Sequence, residues 1–275
     1  MKGAITSEIR KIFTTKLWWG MGIGMAIFAF LLSMGAAALV GLTGPDGQSS
    51  GFDAMNGATG QIVYSAGLLG EFGSMTALFP LALGVLLITT EYRHKTATAT
   101  YLATPRRWIV AVSKVIAVIA VGAVLGVIHV ISSVAGGALV LTVFKDQPLL
   151  LTNGDVLASF GTSIVATIVW ALIGFGFGML VRNQIAAVLI AVAFGFLGQF
   201  ILNIAFAVLG WSTAAKFIPG NLTTGMLVTG DPTGGAAVAG ESPYFAWWLC
   251  ALLLVAYAAV LTVAGSILSN RKDIS

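Results

Sequence analysis

The chain has 275 residues, of which 58% are hydrophobic and 9% charged, and its net charge is +4. Soluble domains carry about 25% charged residues, so this composition, with a mean hydropathy of +0.97, excludes an ordinary soluble enzyme, a disordered chain and a nucleic-acid binder. It is the composition of an integral membrane protein, in which the placement of charge matters more than its sum.

Residues 2–16 come first. Ile5, Ile9, Ile12, Phe13 and Leu17 recur at helical spacing, while Lys2, Glu8, Arg10 and Lys11 fall largely off that stripe. This predicts a short amphipathic helix on the inner leaflet, its basic face toward lipid phosphates or a partner. A plain positively charged anchor is the simpler alternative. A spanning helix needs about 20 apolar residues, and six segments qualify: 17–42, 62–90, 115–143, 156–181, 185–209 and 244–268. The first has an Ala36-x-Ala38 spacing after a basic start, but its apolar run exceeds the 7–15 residues of a signal-peptide core, so an uncleaved helix is expected. Pro80 is expected to kink the second. Residues 43–61, rich in Gly, Ser, Asp and Asn, read as a flexible outer loop.

The loop 91–114 leaves the second span through Glu91-Tyr92-Arg93-His94-Lys95-Thr96. Thr104-Pro105 reads as an N-cap and first helical residue, so the third span's helix is expected to begin at Pro105. Between Glu91 and Thr104 there is room for one short helix displayed to the cytosol. Farther on, residues 210–243 contain Phe217, Ile218, Leu222, Met226, Leu227 and Val228, broken by Pro219-Gly220. That apolar stretch is too short to cross a bilayer and reads as a re-entrant or interfacial hairpin. Asn221-Leu222-Thr223 matches a glycosylation triplet, a pattern too common to carry weight. Cys250, the single cysteine, excludes an intramolecular disulfide and any cysteine metal cluster, and reads as a small packing residue.

With both termini inside, the inner segments hold Lys2, Arg10, Lys11, Lys16, Arg93, Lys95, Arg106, Arg107, Lys114, Arg182, Arg271 and Lys272. The outer loops hold only Lys145 and Lys216, together with Asp46, Asp53, Asp146, Asp155, Asp231 and Glu241. This asymmetry predicts cytoplasmic termini.

No phosphate-binding P-loop, nucleophile elbow or zinc-protease helix motif is present in the sequence. Metal sites need several convergent ligands, and the intramembrane candidates are sparse. Four polar residues within spans have two readings each. Glu71 lies in the transport pathway or, if the second span enters the membrane after residue 73, in water. His129 lines a pathway or bonds a neighbouring helix. Gln199 and Asn203, four apart on one face of the fifth span, contact a substrate or adjacent helices. Gly20 with Gly24, and Gly174 with Gly178, form G-x-x-x-G pairs that serve either a dimer face or packing inside one bundle.

Several stretches together resemble the permease subunit of ABC-2-type ATP-binding-cassette transporters, a class of bacterial exporter. They are Glu8-Ile9-Arg10-Lys11-Ile12-Phe13-Thr14-Thr15-Lys16-Leu17-Trp18-Trp19, Glu91-Tyr92-Arg93-His94-Lys95-Thr96, Ala103-Thr104-Pro105-Arg106-Arg107 with Lys114, and Leu180-Val181-Arg182-Asn183. Phe217-Ile218-Pro219-Gly220-Asn221 is a weaker match. The resemblance implies an all-α permease in the bacterial plasma membrane. It would have six spans, an N-terminal amphipathic helix (1–16), a coupling helix (91–104) and a re-entrant segment (210–243), all in one domain (1–275). It also implies a second permease, either another copy or a paralogue, membrane lipids, and separate P-loop ATPase subunits that bind ATP and Mg, leaving this chain without cofactor or catalytic residue. Glu91, Tyr92, Arg93, Lys95, Thr96, Leu102, Thr104, Arg106 and Arg107 are then the expected ATPase-coupling residues. The short outer loops depart from family members that carry a large extracellular domain. Alternating access would export a hydrophobic or amphipathic substrate. The main rival is an ATP-independent secondary transporter or channel, for which His129 is the best ionisable candidate. An intramembrane enzyme lacks a nucleophile–base set; a purely structural subunit is a further alternative.

Overall fold

The computed structural model describes residues 2–42, 51–70, 74–93, 107–181, 183–228 and 244–272, and its regular elements there are all helices. They are α1 (Lys2–Thr14), α2 (Leu17–Ala38), α3 (Gly57–Ser65) and α4 (Leu78–Arg93), followed by α5 (Arg107–Val143) and α6 (Gly154–Leu180). After these come α7 (Gln184–Val208), α8 (Ser212–Ala215), α9 (Pro219–Leu227) and α10 (Trp247–Lys272). Six helices are long and apolar enough to cross a membrane: Leu17–Ala38, Met75–Arg93, Ile109–Val143, Gly154–Leu180, Gln184–Val208 and Trp247–Leu268. The chain is therefore an all-helical, multi-pass membrane protein in its described parts.

Local chemistry sets several helix starts. The Asn153 side chain accepts from the Asp155 and Val156 amides and opens α6. Asn183 does the same for α7 through Ile185 and Ala186, and Asn56 caps α3 through Thr59. Each supplies an acceptor to amide groups that the first helical turn leaves without partners.

The second span differs from the sequence expectation. Residues 57–65 form the separate helix α3, nearly all of it buried, so the stretch 43–61 is not loop throughout. The chain then folds back and enters α4 through a 3-10 turn at Met75–Ala77. The reversal brings the Thr76 amide to the Gly67 carbonyl at 2.9 Å. A Cβ at Gly67 would lie 2.5 Å from Thr76 Cγ2, so only glycine permits this approach. Ser74 adopts a left-handed φ of 46° at the corner. Pro80 thus falls in the first turn of α4, directly after the 3-10 turn. Hydropathy measured apolar content and could not see the chain turning.

Glycine seats bring the helices into backbone contact around α6, the central helix, which packs against α3, α4, α5 and α10. A Cβ on Gly174 would lie 1.9 Å from the Leu81 carbonyl oxygen, and one on Gly84 2.0 Å from that of Ala171. Gly178 meets Val85 and Ile88 in the same crossing. The Gly174–Gly178 pair therefore packs α6 on α4 inside the bundle. Gly24 faces the Phe79 ring, also inside, while Gly20 is open. Gly176 and Gly265 seat α10 on the other side of α6. The outward faces of α7 and α10 carry exposed apolar residues such as Ile185, Leu189, Phe200, Val208, Leu252 and Val260. Apolar surface of this extent suits a hydrocarbon surround.

Candidate functional site

Lys114 stands two turns inside α5 on the helix face that also carries the buried Val110, Ala117, Val118 and Val121. It stands near the start of the apolar helical stretch Ile109–Val143, which at 35 residues is longer than a bilayer core requires. A lysine aimed into a bundle must be paired. Its side chain is 9% exposed, and its Nζ donates to Glu91 and, at 3.0 Å, to Glu8 Oε1.

Glu91 lies in the last turn of α4, three residues beyond the buried Ile88, and its side chain is 2% exposed. A carboxylate at a helix C-terminus faces the negative end of the helix dipole, which adds to the cost of burying it. Two ammonium groups offset both terms: Lys114 from α5, and Lys11 from α1, whose Nζ also bonds Glu91 Oε1. Glu8 and Lys11 are one turn apart on α1 and share a face with the buried Ile12. A helix is present over Lys2–Thr14; on it Glu8 and the Lys11 ammonium reach toward α4 and α5, while the Lys11 side chain keeps 44% exposure. The result is a chain of alternating charges, Lys11–Glu91–Lys114–Glu8, that ties α1 to the ends of α4 and α5.

Beside this chain lies a cavity of about 620 Å³ between α1, the start of α2, α4, α5 and α6. Its walls are apolar, from Leu17, Leu86, Leu87, Ala117, Val118 and Phe175, and its charged side carries Glu8, Lys11, Lys16, Glu91 and Lys114. Electrostatics and shape here suit holding an element or an amphiphile. They offer no nucleophile with a base. Among the described residues no group of three or more His, Cys, Asp or Glu side chains converges as a metal site would require.

The structure separates the remaining expected residues. Of the coupling set, Glu91 is buried in the ionic chain; Tyr92 is half-buried and packs near Val118 and Phe175. Arg93 is exposed and its Nη1 donates to Gln184 Oε1 at 3.3 Å, at the start of α7. Arg107 opens α5. Lys95, Thr96, Leu102, Thr104 and Arg106 lie outside the described residues, as do Glu71 and residues 229–243 of the outer segment.

The pathway candidates are scattered. Gln199 is buried and donates to the Gly195 carbonyl, within a π-turn over Phe194–Gly198 in α7. Asn203 donates to the Gln199 carbonyl at 3.0 Å and accepts from Asn221 Nδ2 at 2.8 Å. Asn203 thus links α7 to α9, whereas the hydrogen bond of Gln199 stays within α7. His129 is fully buried in α5, and neither ring nitrogen has a hydrogen-bond partner.

Sequence reasoning missed the cluster itself. Lys114 was the available signal, a lysine flanked by Val112, Ser113, Val115 and Ile116, because a charge in an apolar helix implies a counter-charge. Its partners come from positions 23 and 106 residues away, beyond any local periodicity.

Compared with known proteins, the chain matches no protein-family model and no curated protein sequence.

Proposed function

We propose that this chain is the transmembrane permease subunit of an ATP-binding-cassette transporter, exporting a hydrophobic or amphipathic substrate by alternating access. One observation carries the reading beyond the span count: the Lys11–Glu91–Lys114–Glu8 chain binds α1 to the two helix ends that flank residues 94–106. A force applied to that segment by a partner would reach α1, α4 and α5 together, because parting Lys114 from Glu8 or Glu91 would leave a buried charge unpaired. In this reading residues 91–104 are the coupling element, both termini and this element face the cytoplasm of a bacterial cell, and residues 210–243 form a re-entrant segment. Arg93, Arg106 and Arg107 would meet acidic surface on a P-loop ATPase. ATP and Mg would be held by that partner, and a second copy or a paralogue would complete the pathway.

A second reading rests on the unpartnered ring of His129. A buried ionisable group in a span is a common feature of ATP-independent transporters and channels. Mild-detergent purification of the tagged chain, with mass spectrometry of what accompanies it, separates the two. The expected result is a stoichiometric P-loop ATPase. Its absence, under conditions that keep a known transporter complex intact, would move the assignment to a secondary transporter centred on His129.

A further inference from the structure

We propose that the cavity beneath α1 is a binding site for one anionic phospholipid of the adjoining leaflet, with a single acyl chain inside and the phosphate at Lys16 and Lys11. The inference holds whether or not the chain couples to an ATPase. The cavity's volume of about 620 Å³ lies in the usual range for small-molecule sites, about 300–1,000 Å³. A volume of that size admits a hydrocarbon chain.

The lining has the polarity of such a ligand. Leu86, Leu87, Ala117, Val118 and Phe175 supply most of the apolar lining, and Thr15 and Thr90 are its uncharged polar residues. The charges gather on one side, and their balance is uneven: three lysines, Lys11, Lys16 and Lys114, against two glutamates, Glu8 and Glu91. Both carboxylates are engaged, Glu91 by two ammonium groups and Glu8 by Lys114, so they are screened from an incoming anion. Lys16 is exposed and makes no ion pair with a described residue, and Lys11 retains 44% side-chain exposure. The excess positive charge therefore sits on the exposed side of a largely apolar void. A basic pocket between spans is suited to an acidic lipid headgroup.

The test is native mass spectrometry of the full-length, delipidated protein in detergent. It would be titrated with palmitoyl-oleoyl phosphatidylglycerol and, separately, with phosphatidylcholine bearing the same chains. One phosphatidylglycerol should bind about five-fold or more tightly than phosphatidylcholine, from one to two lysine–lipid contacts. Lys16→Glu, an exposed change compatible with folding, should bring the two lipids to parity. Arg10→Glu, equally exposed on α1 but not in the cavity lining, should leave the preference intact. Leu86→Trp, which fills the void, should abolish the one-to-one adduct. Four results would each overturn the proposal. They are equal binding of the two lipids in the unmodified protein, a preference that survives Lys16→Glu, an Arg10→Glu effect as large as that of Lys16→Glu, and displacement of phosphatidylglycerol by palmitate at equal concentration.

Discussion

Replacing Lys114 by Met tests the ionic chain most directly, because Lys114 is the one member bonded to both carboxylates. Lys114→Met keeps the side-chain length and removes the charge. Glu91, 2% exposed, is left with Lys11 alone, and Glu8 loses its ion-pair partner. Removing one partner of a buried pair costs roughly 3–5 kcal/mol. Since Glu91 keeps Lys11, and the cavity beside it can admit water, the low end of about 3 kcal/mol applies. Lys11→Met removes a pair whose lysine is 44% exposed, and such pairs contribute about 0–1 kcal/mol.

The assay is thermal unfolding in one detergent, followed by fluorescence of the seven tryptophans. At roughly 2–4 °C per kcal/mol for a chain of this class, Lys114→Met should lower Tm by about 6–12 °C and Lys11→Met by less than about 4 °C. The double change Lys114→Met with Glu91→Leu should recover the part of the loss that comes from Glu91, since an apolar pair of similar volume is often as stable as the buried ions it replaces, while Glu8 stays without its partner. Equal losses for Lys11→Met and Lys114→Met, or a double variant as unstable as the sum of the singles, would refute the argument that burial ranks these pairs.

Three further outcomes are expected. Gly174→Val should abolish recovery of folded protein in size-exclusion chromatography, because even a Cβ there meets the Leu81 carbonyl at 1.9 Å, whereas Gly20→Ala should elute as the unmodified chain does. His129→Leu should leave Tm unchanged or raise it, since exchanging an unpartnered buried polar group for an apolar one removes a desolvation cost of about 1–3 kcal/mol; a fall in Tm would reveal a bound water or other partner at the imidazole. Arg93→Glu combined with Arg106→Glu should leave membrane insertion intact but uncouple transport from ATP hydrolysis; undiminished export and ATPase stimulation would remove these residues from the coupling role.

The sequence made the spans legible where hydrophobicity and chain direction agree. The runs at 156–181 and 185–209 match α6 and α7 within two residues at either end, because each is bounded by an asparagine that caps the helix. The second span was read too long because Ile62, Val63, Leu68 and Leu69 are as apolar as a span, yet they pack inside the bundle ahead of a chain reversal. Such a reversal is set by tertiary contacts such as that of Gly67 with Thr76, which leave no periodic trace. Glu8, Glu91 and Lys114 were each visible as charges beside apolar segments. Their meeting was not, since it requires α1 to lie back across the ends of α4 and α5. The alternation of acid and base across three helices is a property of the fold and not of any one segment.

The glycine seats on α6 also set an order of assembly. Chains are made from the N-terminus at about 5–20 residues per second. The seats for α4, at Gly174 and Gly178, can be filled as soon as α6 is in the bilayer. Gly176 must wait for Leu261 and Thr262 of α10, synthesised several seconds later. During that interval α6 presents a backbone groove to lipid. The last helix thus acts as a closing stave, and a chain stopped before Trp247 would insert five spans yet leave its central helix bare along one flank, a form open to quality-control proteases.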